Sequence, residues 1–196
     1  MGKVYDFYKY RLTISDDNQF IIDDRIFKYV YDNLTIKRFM HSLSVANLMY
    51  DIAISNNLEN PAKFFFVGFL HDVGKYLNKK RSTDLMKLYF KDYLDLPTYA
   101  YHAFVGSYMI STDLNIKDKE INDAIIYHTT GNSNLSVLGI VLFAADKIEP
   151  LRPYDSKRLI KLMTKDCINN FKYVVKEAKD FLDKKGDEGN CLSDNL

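Results

Sequence analysis

The chain is short of the residues that punctuate β-structure and of those that cross-link or metallate through sulfur. Its 196 residues include no tryptophan, four prolines, eight glycines and two cysteines. So little proline and glycine leaves few signals for tight hairpins, and few segments alternate polar and apolar residues at period two. The prediction is a mostly helical protein. Cys167 and Cys191 form no metal spacing and no disulfide framework, and the second sits in a polar tail, so both read as free thiols of a reducing cytosol. No apolar run approaches the length of about 18 residues that spans a bilayer. The N-terminus, MGKVYDFYKYRL, interrupts its apolar residues with charges and lacks a signal-peptide core. A cytoplasmic protein with no membrane partner is expected. Excess charge is also missing. Lys plus Arg number 27 against 26 Asp plus Glu, a net of +1, so no global field favours nucleic acid and any anion binding must be local.

What is present fits one domain with a sizeable core. Residues 1–22 are rich in Tyr and Phe but poor in pattern, and read as an aromatic extension packing on the domain. Residues 23–183 carry the periodic segments. Residues 184–196, within the stretch DKKGDEGNCLSDNL, lack core formers and read as a disordered tail. Asp23 caps a first helix to about Asn33, with Ile26, Val30 and Leu34 at four-residue steps. Thr35 caps a second, from Ile36 to about Asn56, apolar on two faces and so buried together with His41. Asn60-Pro61 starts a third, an N-cap followed by proline at the first helical position, which reaches Asp72 and stops at Gly74 as C′.

Lys79-Lys80-Arg81 reads as a solvated loop before a helix capped by Ser82 or Thr83. That helix holds Leu85, Leu88 and Tyr89 and is closed by Pro97. Thr98 to Ile110 places His102, Val105 and Met109 on one face, with Gly106 allowing close approach. Asp118 caps a helix ending at His128, and Thr129-Thr130-Gly131 follows. Ser136 caps VLGIVLFAAD. Pro150 and Pro153 mark a loop near Glu149 and Arg152. A short helix and a longer one finish the domain, the latter with Ile168, Phe171, Val174, Val175, Ala178 and Leu182 inward. The architecture is a single all-α bundle.

One stretch organises the rest: Phe64 to Lys75, FFFVGFLHDVGK. Its phenylalanines require burial, yet it ends in adjacent His71 and Asp72, which are costly to bury without a partner. Taken alone, the pair reads as a core histidine beside a helix-end acid. The other three histidines, His41, His102 and His128, also lie in or at the end of apolar helices, as does Asp146. Six imidazoles and carboxylates on five helices point to a shared cation, since bundles build metal sites from facing helices.

The order H…HD…H…H…D resembles the HD-domain superfamily of metal-dependent phosphohydrolases. The segments RFMHSLSVA, GFLHDVGKY, HAFVGSYMI, IIYHTTG and FAADKIEPLR resemble those of its YqeK-type branch, over about residues 23–182. That branch hydrolyses diadenosine tetraphosphate symmetrically to two ADP. The resemblance implies that His41, His71, Asp72 and Asp146 hold one metal ion, and that His102 and His128 hold a second with Asp72 bridging. It also implies iron. The imidazole and carboxylate donors alone suit Fe, Mn, Ni, Co or Zn equally, and the lack of cysteine ligands argues against a thiolate site.

On this reading a metal-bridging hydroxide attacks an inner phosphorus with ADP departing. Lys75 contacts phosphate, Thr129 and Gly131 offer a hydroxyl and backbone N–H groups, and Arg152 pairs with a phosphate. Lys147 and Glu149 support the ligands. Where the family continues HTTG with arginine this chain has Asn132, which passes phosphate contact to other bases and widens the substrate question. The alternatives are an HD-type hydrolase of another nucleotide (a nucleotidase, a deoxynucleoside triphosphate hydrolase or a signalling-nucleotide hydrolase) and a non-catalytic nucleotide-binding domain. A small-molecule nucleotide is the expected partner; a homodimer stays open.

Overall fold

The computed structural model describes residues 20–152 and 156–184. All regular structure among them is helical: α1 (Asp24–Asn33), α2 (Ile36–Ser55), α3 (Pro61–Leu70), α4 (Lys79–Tyr89), α5 (Tyr101–Asp113), α6 (Lys119–Tyr127), α7 (Val137–Ile148), α8 (Lys157–Lys165) and α9 (Cys167–Lys184), with 3-10 turns at Lys91–Tyr93 and Thr98–Ala100. Five helix starts follow from local chemistry, because a side-chain oxygen before each accepts one of the backbone N–H groups that a first turn leaves unpaired. Asp23 accepts from Ile26, Thr35 from Arg38, Asn60 from Lys63, Asp118 from Ile121 and Ser136 from Gly139.

The core forms where α2 and α3 pack together. Phe39 of α2 meets Phe69 of α3 edge to face at 5.5 Å, and Phe64, Phe65 and Phe66 are all buried. Each such ring contributes about 2–3 kcal/mol when removed from water. α7 lies against this pair with Val141, Leu142, Ala144 and Ala145 fully enclosed. α4 and α5 build a second cluster from Met86, Tyr101, Ala103, Phe104 and Val105. Of the aromatic extension, Phe20 stands edge-on to Phe66 at 5.6 Å; residues 1–19 and the tail from 185 lie outside the described residues, as do Pro153 and the side chain of Leu182.

Four expectations need correction. The basic run is exposed but helical: α4 begins at Lys79, and Asn78, not Ser82 or Thr83, caps it by accepting from Lys80 and Arg81. The helix holds Leu85, Leu88 and Tyr89 as expected, the last two exposed, but it ends at Tyr89, well before Pro97. Ile168 is 57% exposed and Cys167 is buried in its place. Phe171, Val174, Val175 and Ala178 do pack inward as expected, and the departure is confined to the first turn of α9. Gly74 is not a left-handed C′ residue, since Gly131 is the one glycine with positive φ among the described residues. α3 stops at Leu70, and the chain turns through His71–Leu77. Gly74 is needed for space instead: a Cβ there would lie 2.3 Å from the carbonyl oxygen of His102 and 2.7 Å from the amide nitrogen of Gly106. The turn carrying His71 and Asp72 is thereby pressed against the backbone of α5.

Candidate metal centre

Five helices deliver six titratable side chains to one buried place: His41 from α2, His71 and Asp72 from the turn after α3, His102 from α5, His128 from the end of α6 and Asp146 from α7. All six predicted ligands come together. His41, His71 and Asp72 each offer a donor atom within 4.8 Å of the others, and so do Asp72, His102 and His128. Asp72 belongs to both groups. Its Oδ2 faces His71 Nε2 at 3.5 Å and His41 Nε2 at 3.9 Å; its Oδ1 faces His102 Nε2 at 3.2 Å and His128 Nε2 at 3.8 Å. Asp146 Oδ1 borders the first group, 3.0 Å from His41 Nε2 and 3.8 Å from His71 Nε2.

Hydrogen bonding fixes which ring nitrogen is available. His71 Nδ1 lies 2.7 Å from Gly68 O, His102 Nδ1 2.6 Å from Tyr99 O and His128 Nδ1 2.7 Å from Ile125 O. A carbonyl only accepts, so each Nδ1 must be the protonated nitrogen, and each Nε2 carries a bare lone pair. Two of these rings stand at helix C-termini, where the last carbonyls have no helical partner. All three Nε2 atoms aim inward at the carboxylate of Asp72 and at one another; His102 Nε2 and His128 Nε2 are 3.2 Å apart. Such acceptor-to-acceptor approaches are attractive only with a proton or a cation between. His71 Nε2 and Asp72 Oδ1 are buried and lack a hydrogen-bond partner. This orphaned pair, in a set of imidazole and carboxylate donors, fits a divalent transition metal.

The electrostatics match. Burial pulls the imidazole of His71 down to about 4, against the attraction of Asp72 and Asp146, so the ring is neutral and ligand-competent near pH 7. Burial, with the neighbouring His71 and His102, holds His128 well below its ordinary value. Burial would raise Asp72, yet the imidazoles of His71, His102 and His128 outweigh it and keep the carboxyl well below the usual range. Asp146 is likewise depressed despite burial, by Lys147, His41 and Arg152. His41 differs: burial acts to lower it, but hydrogen bonds to Asp146 and Glu149 win and raise it.

Basic side chains ring the carboxylates. Lys147 Nζ lies 2.7 Å from Asp146 Oδ2, and Arg152 donates to Asp146 Oδ1 at 2.8 Å. Lys75 Nζ stands 3.3 Å from His102 Nε2, and burial lowers its pKa. Thr129 Oγ1 sits 3.2 Å from His128 Nε2, beside the second group rather than on an open loop. Gly131 adopts φ 75°, and its N–H donates to Tyr127 O at 2.8 Å, so that N–H closes the turn and is not left for a phosphate as expected. With Tyr127, Asn134 and Ser136, Asn132 lines a cleft of about 520 Å³ between α6 and α7.

Two side chains that contact this group escaped sequence reasoning in whole or part. Arg38 donates to Asp72 Oδ2 at 2.8 Å. The available signal was its position three residues before His41, one turn away on the same face of α2. Glu149, expected only as a flanking support, is 1% exposed and accepts from His41 Nδ1 at 2.9 Å and from the backbone N–H of Leu151 at 2.6 Å.

Comparison with known proteins agrees with this geometry. The HD domain family model matches residues 38–151. A symmetrical bis(5'-nucleosyl)-tetraphosphatase of Halalkalibacterium halodurans is 30% identical over 71% of this chain and 75% of its own length. Its namesake in Bacillus subtilis is 27% identical over 80% and 85%. A Mycoplasma genitalium protein, named as a nicotinate-nucleotide adenylyltransferase/Ap4A hydrolase, is 30% identical over 74% of this chain but only 44% of its own length. Among solved structures, an HD-superfamily hydrolase of Clostridium acetobutylicum, described as involved in NAD metabolism, superposes with a TM-score of 0.72 at 26% identity. The alignment covers 83% of this chain and 88% of that one. The buried His/Asp group is consistent with the divalent metal binding of such domains. The chain belongs to the HD-domain family, within the group that contains the symmetrical bis(5'-nucleosyl)-tetraphosphatases.

Proposed function

We propose that the chain hydrolyses dinucleoside tetraphosphates symmetrically, converting diadenosine tetraphosphate and water to two ADP with the help of two divalent transition-metal ions. The observation that carries this reading is Asp72, whose two oxygens face two separate sets of imidazole lone pairs. His41, His71, Asp72 and Asp146 would hold one ion, and Asp72, His102 and His128 the other. Bound there, the ions supply a nucleophilic water near neutral pH and neutralise charge on the phosphoryl oxygens.

The chain's own residues do the rest. Backbone carbonyls lock three rings with Nε2 inward, so the ligands need no reorganisation when the ions arrive. Arg38, Lys147 and Arg152 bring basic groups to the carboxylates and Lys75 brings one to His102, a positive rim that suits a polyphosphate substrate. Lys75 is the phosphate contact nearest His102. Its lowered pKa also makes it a readier proton source for a departing ADP oxygen. Thr129 supports the second ion's imidazoles, and Gly131 sets the turn that follows them. Arg152 pairs with Asp146 and would offer its guanidinium to a phosphate on that side. The cleft between α6 and α7 adjoins the His128–Gly131 turn and has a volume suited to one nucleoside.

The nitrogen and oxygen donors accept Fe, Mn, Co, Ni or Zn, and iron is the ion we assign. Purified metal-loaded protein incubated with diadenosine tetraphosphate should give ADP as the sole nucleotide product on ion-exchange chromatography. ATP plus AMP, or no turnover, would overturn the reading. Elemental analysis after anaerobic purification tests the iron assignment.

A further inference from the structure

Three of the four histidines share one device, and His41 does not. His71, His102 and His128 each give the Nδ1 proton to a backbone carbonyl three residues earlier. His41 lies in the second turn of the 20-residue α2, where the carbonyls of the preceding turn are already bonded within the helix. It therefore gives its Nδ1 proton to a carboxylate 108 residues away, Glu149 at the C-terminal cap of α7. Glu149 is 1% exposed. It is held in turn by the Leu151 N–H at 2.6 Å and by the Ser44 hydroxyl. Its other neighbour, Arg152, keeps its guanidinium 3.8 Å away and directed mainly at Asp146.

A carboxylate behind an imidazole makes the opposite nitrogen a stronger electron-pair donor than a neutral carbonyl does, and fixes the ring orientation through a charge-assisted bond. Resting on the two-ion reading above, we infer that Glu149 is a positioning residue for His41 and that it makes the two metal sites unequal. The site of His41, His71, Asp72 and Asp146 binds its ion more tightly. The site of His102 and His128, whose rings lean only on neutral carbonyls and which shares Asp72 as its one carboxylate, binds the second more weakly. Glu149 also ties the α7 cap to α2, so the carboxylate that aims His41 sits three residues from Asp146 and holds two of the tight site's four ligands, His41 and Asp146, in register.

The test is Mn2+ titration of the metal-free protein, read by electron paramagnetic resonance of free Mn2+ and by calorimetry. Wild type should bind two equivalents in two affinity classes. Glu149→Gln, which keeps the shape but removes the charge, should weaken the tighter class by about 10- to 100-fold and leave the weaker class in place. In a His41→Ala background the same Glu149→Gln change should have no further effect, whereas a merely structural role would persist there. Should Glu149→Gln fail to fold, two ligand variants carry the test alone: the site left in His102→Ala must bind Mn2+ more tightly than the site left in His41→Ala. Two wild-type equivalents of equal affinity, an unchanged tight class in Glu149→Gln, or the reverse order in the ligand variants would overturn the inference while leaving the two-ion reading intact. A wild-type protein that binds no metal would overturn both.

Discussion

A single methyl group at Gly74 should separate the two halves of the metal centre. The Cβ of Gly74→Ala would come within 2.3 Å of His102 O and 2.7 Å of Gly106 N, both backbone atoms that cannot rotate away. Restoring ordinary contact requires the start of α5 to recede by about 1 Å, an overpacking that costs about 1–3 kcal/mol. For a domain of this size each kcal/mol corresponds to about 2–4 °C in Tm. The displacement parts α5 from the His71–Leu77 turn. α5 carries His102, which now lies 3.2 Å from Asp72 Oδ1, whereas His41 stands on α2, outside the Gly74–Gly106 contact. Metal content should fall by about one equivalent, with the His41 site retained.

Gly106→Ala is the control. Its methyl would meet Gly74 N at 3.3 Å, which asks the neighbour to give only a few tenths of an ångström, and alanine inside a helix regains about 1 kcal/mol over glycine. That variant should stay near wild type in both measurements. Urea unfolding midpoints and metal content by elemental analysis decide the matter. A Gly74→Ala protein with wild-type midpoint and metal content, or a Gly106→Ala protein equally damaged, would refute the close-approach argument.

Asp72→Ala should remove a ligand common to both sites and abolish both metal retention and turnover, while His128→Ala should empty one site; equal metal content in wild type and both variants contradicts the assignment. Arg38→Ala should destabilise the metal-free protein by about 1–2 kcal/mol, a partly exposed pair being worth less than a fully buried one. The deficit in Tm should shrink when Mn2+ is added, because the ion replaces the lost cation at Asp72; a deficit of the same size with and without Mn2+ would argue against this. Stability of the metal-free protein should fall as pH drops from 6.5 towards 4. His71 is depressed to about 4 in the folded state, so the unfolded chain takes up its proton first, a loss of about 3 kcal/mol from this ring alone. The depressed His128 acts in the same direction, whereas the raised His41 offsets part of it. Melting curves in chelator at pH 7.5, 6 and 5 check it, and a flat Tm across that range would count against the neutral buried rings.

Helix starts were legible because a cap is a local event. Asp23, Thr35, Asn60, Asp118 and Ser136 each accept from an N–H three residues on, and sequence spacing suffices to find them. The six candidate ligands were legible for a related reason: an imidazole or carboxylate is conspicuous within or at the end of an apolar helix. Features set by distant contacts were not. Gly74 looked like a helix stop because glycine has that local use, while its actual constraint is the backbone of residues 102 and 106. Ile168 was placed inward with Phe171, Val174 and Val175, yet the first turn of α9 puts Cys167 inside and Ile168 out. Arg38 and Glu149 lie beside residues already identified, yet a charge in a sequence does not name its partner. Only the fold brings residue 149 to residue 41.

The backbone bonds at His71, His102 and His128 have a consequence for the order of events in the life of the protein. A ring aimed by a carbonyl three residues before it is in place as soon as its own segment docks, before any ion is present. Folding and loading are then separate steps rather than one. A chelator should strip the centre and leave the bundle standing, and returning the ion should restore it without passage through an unfolded chain. The scaffold behaves as a finished socket into which its cargo can be exchanged.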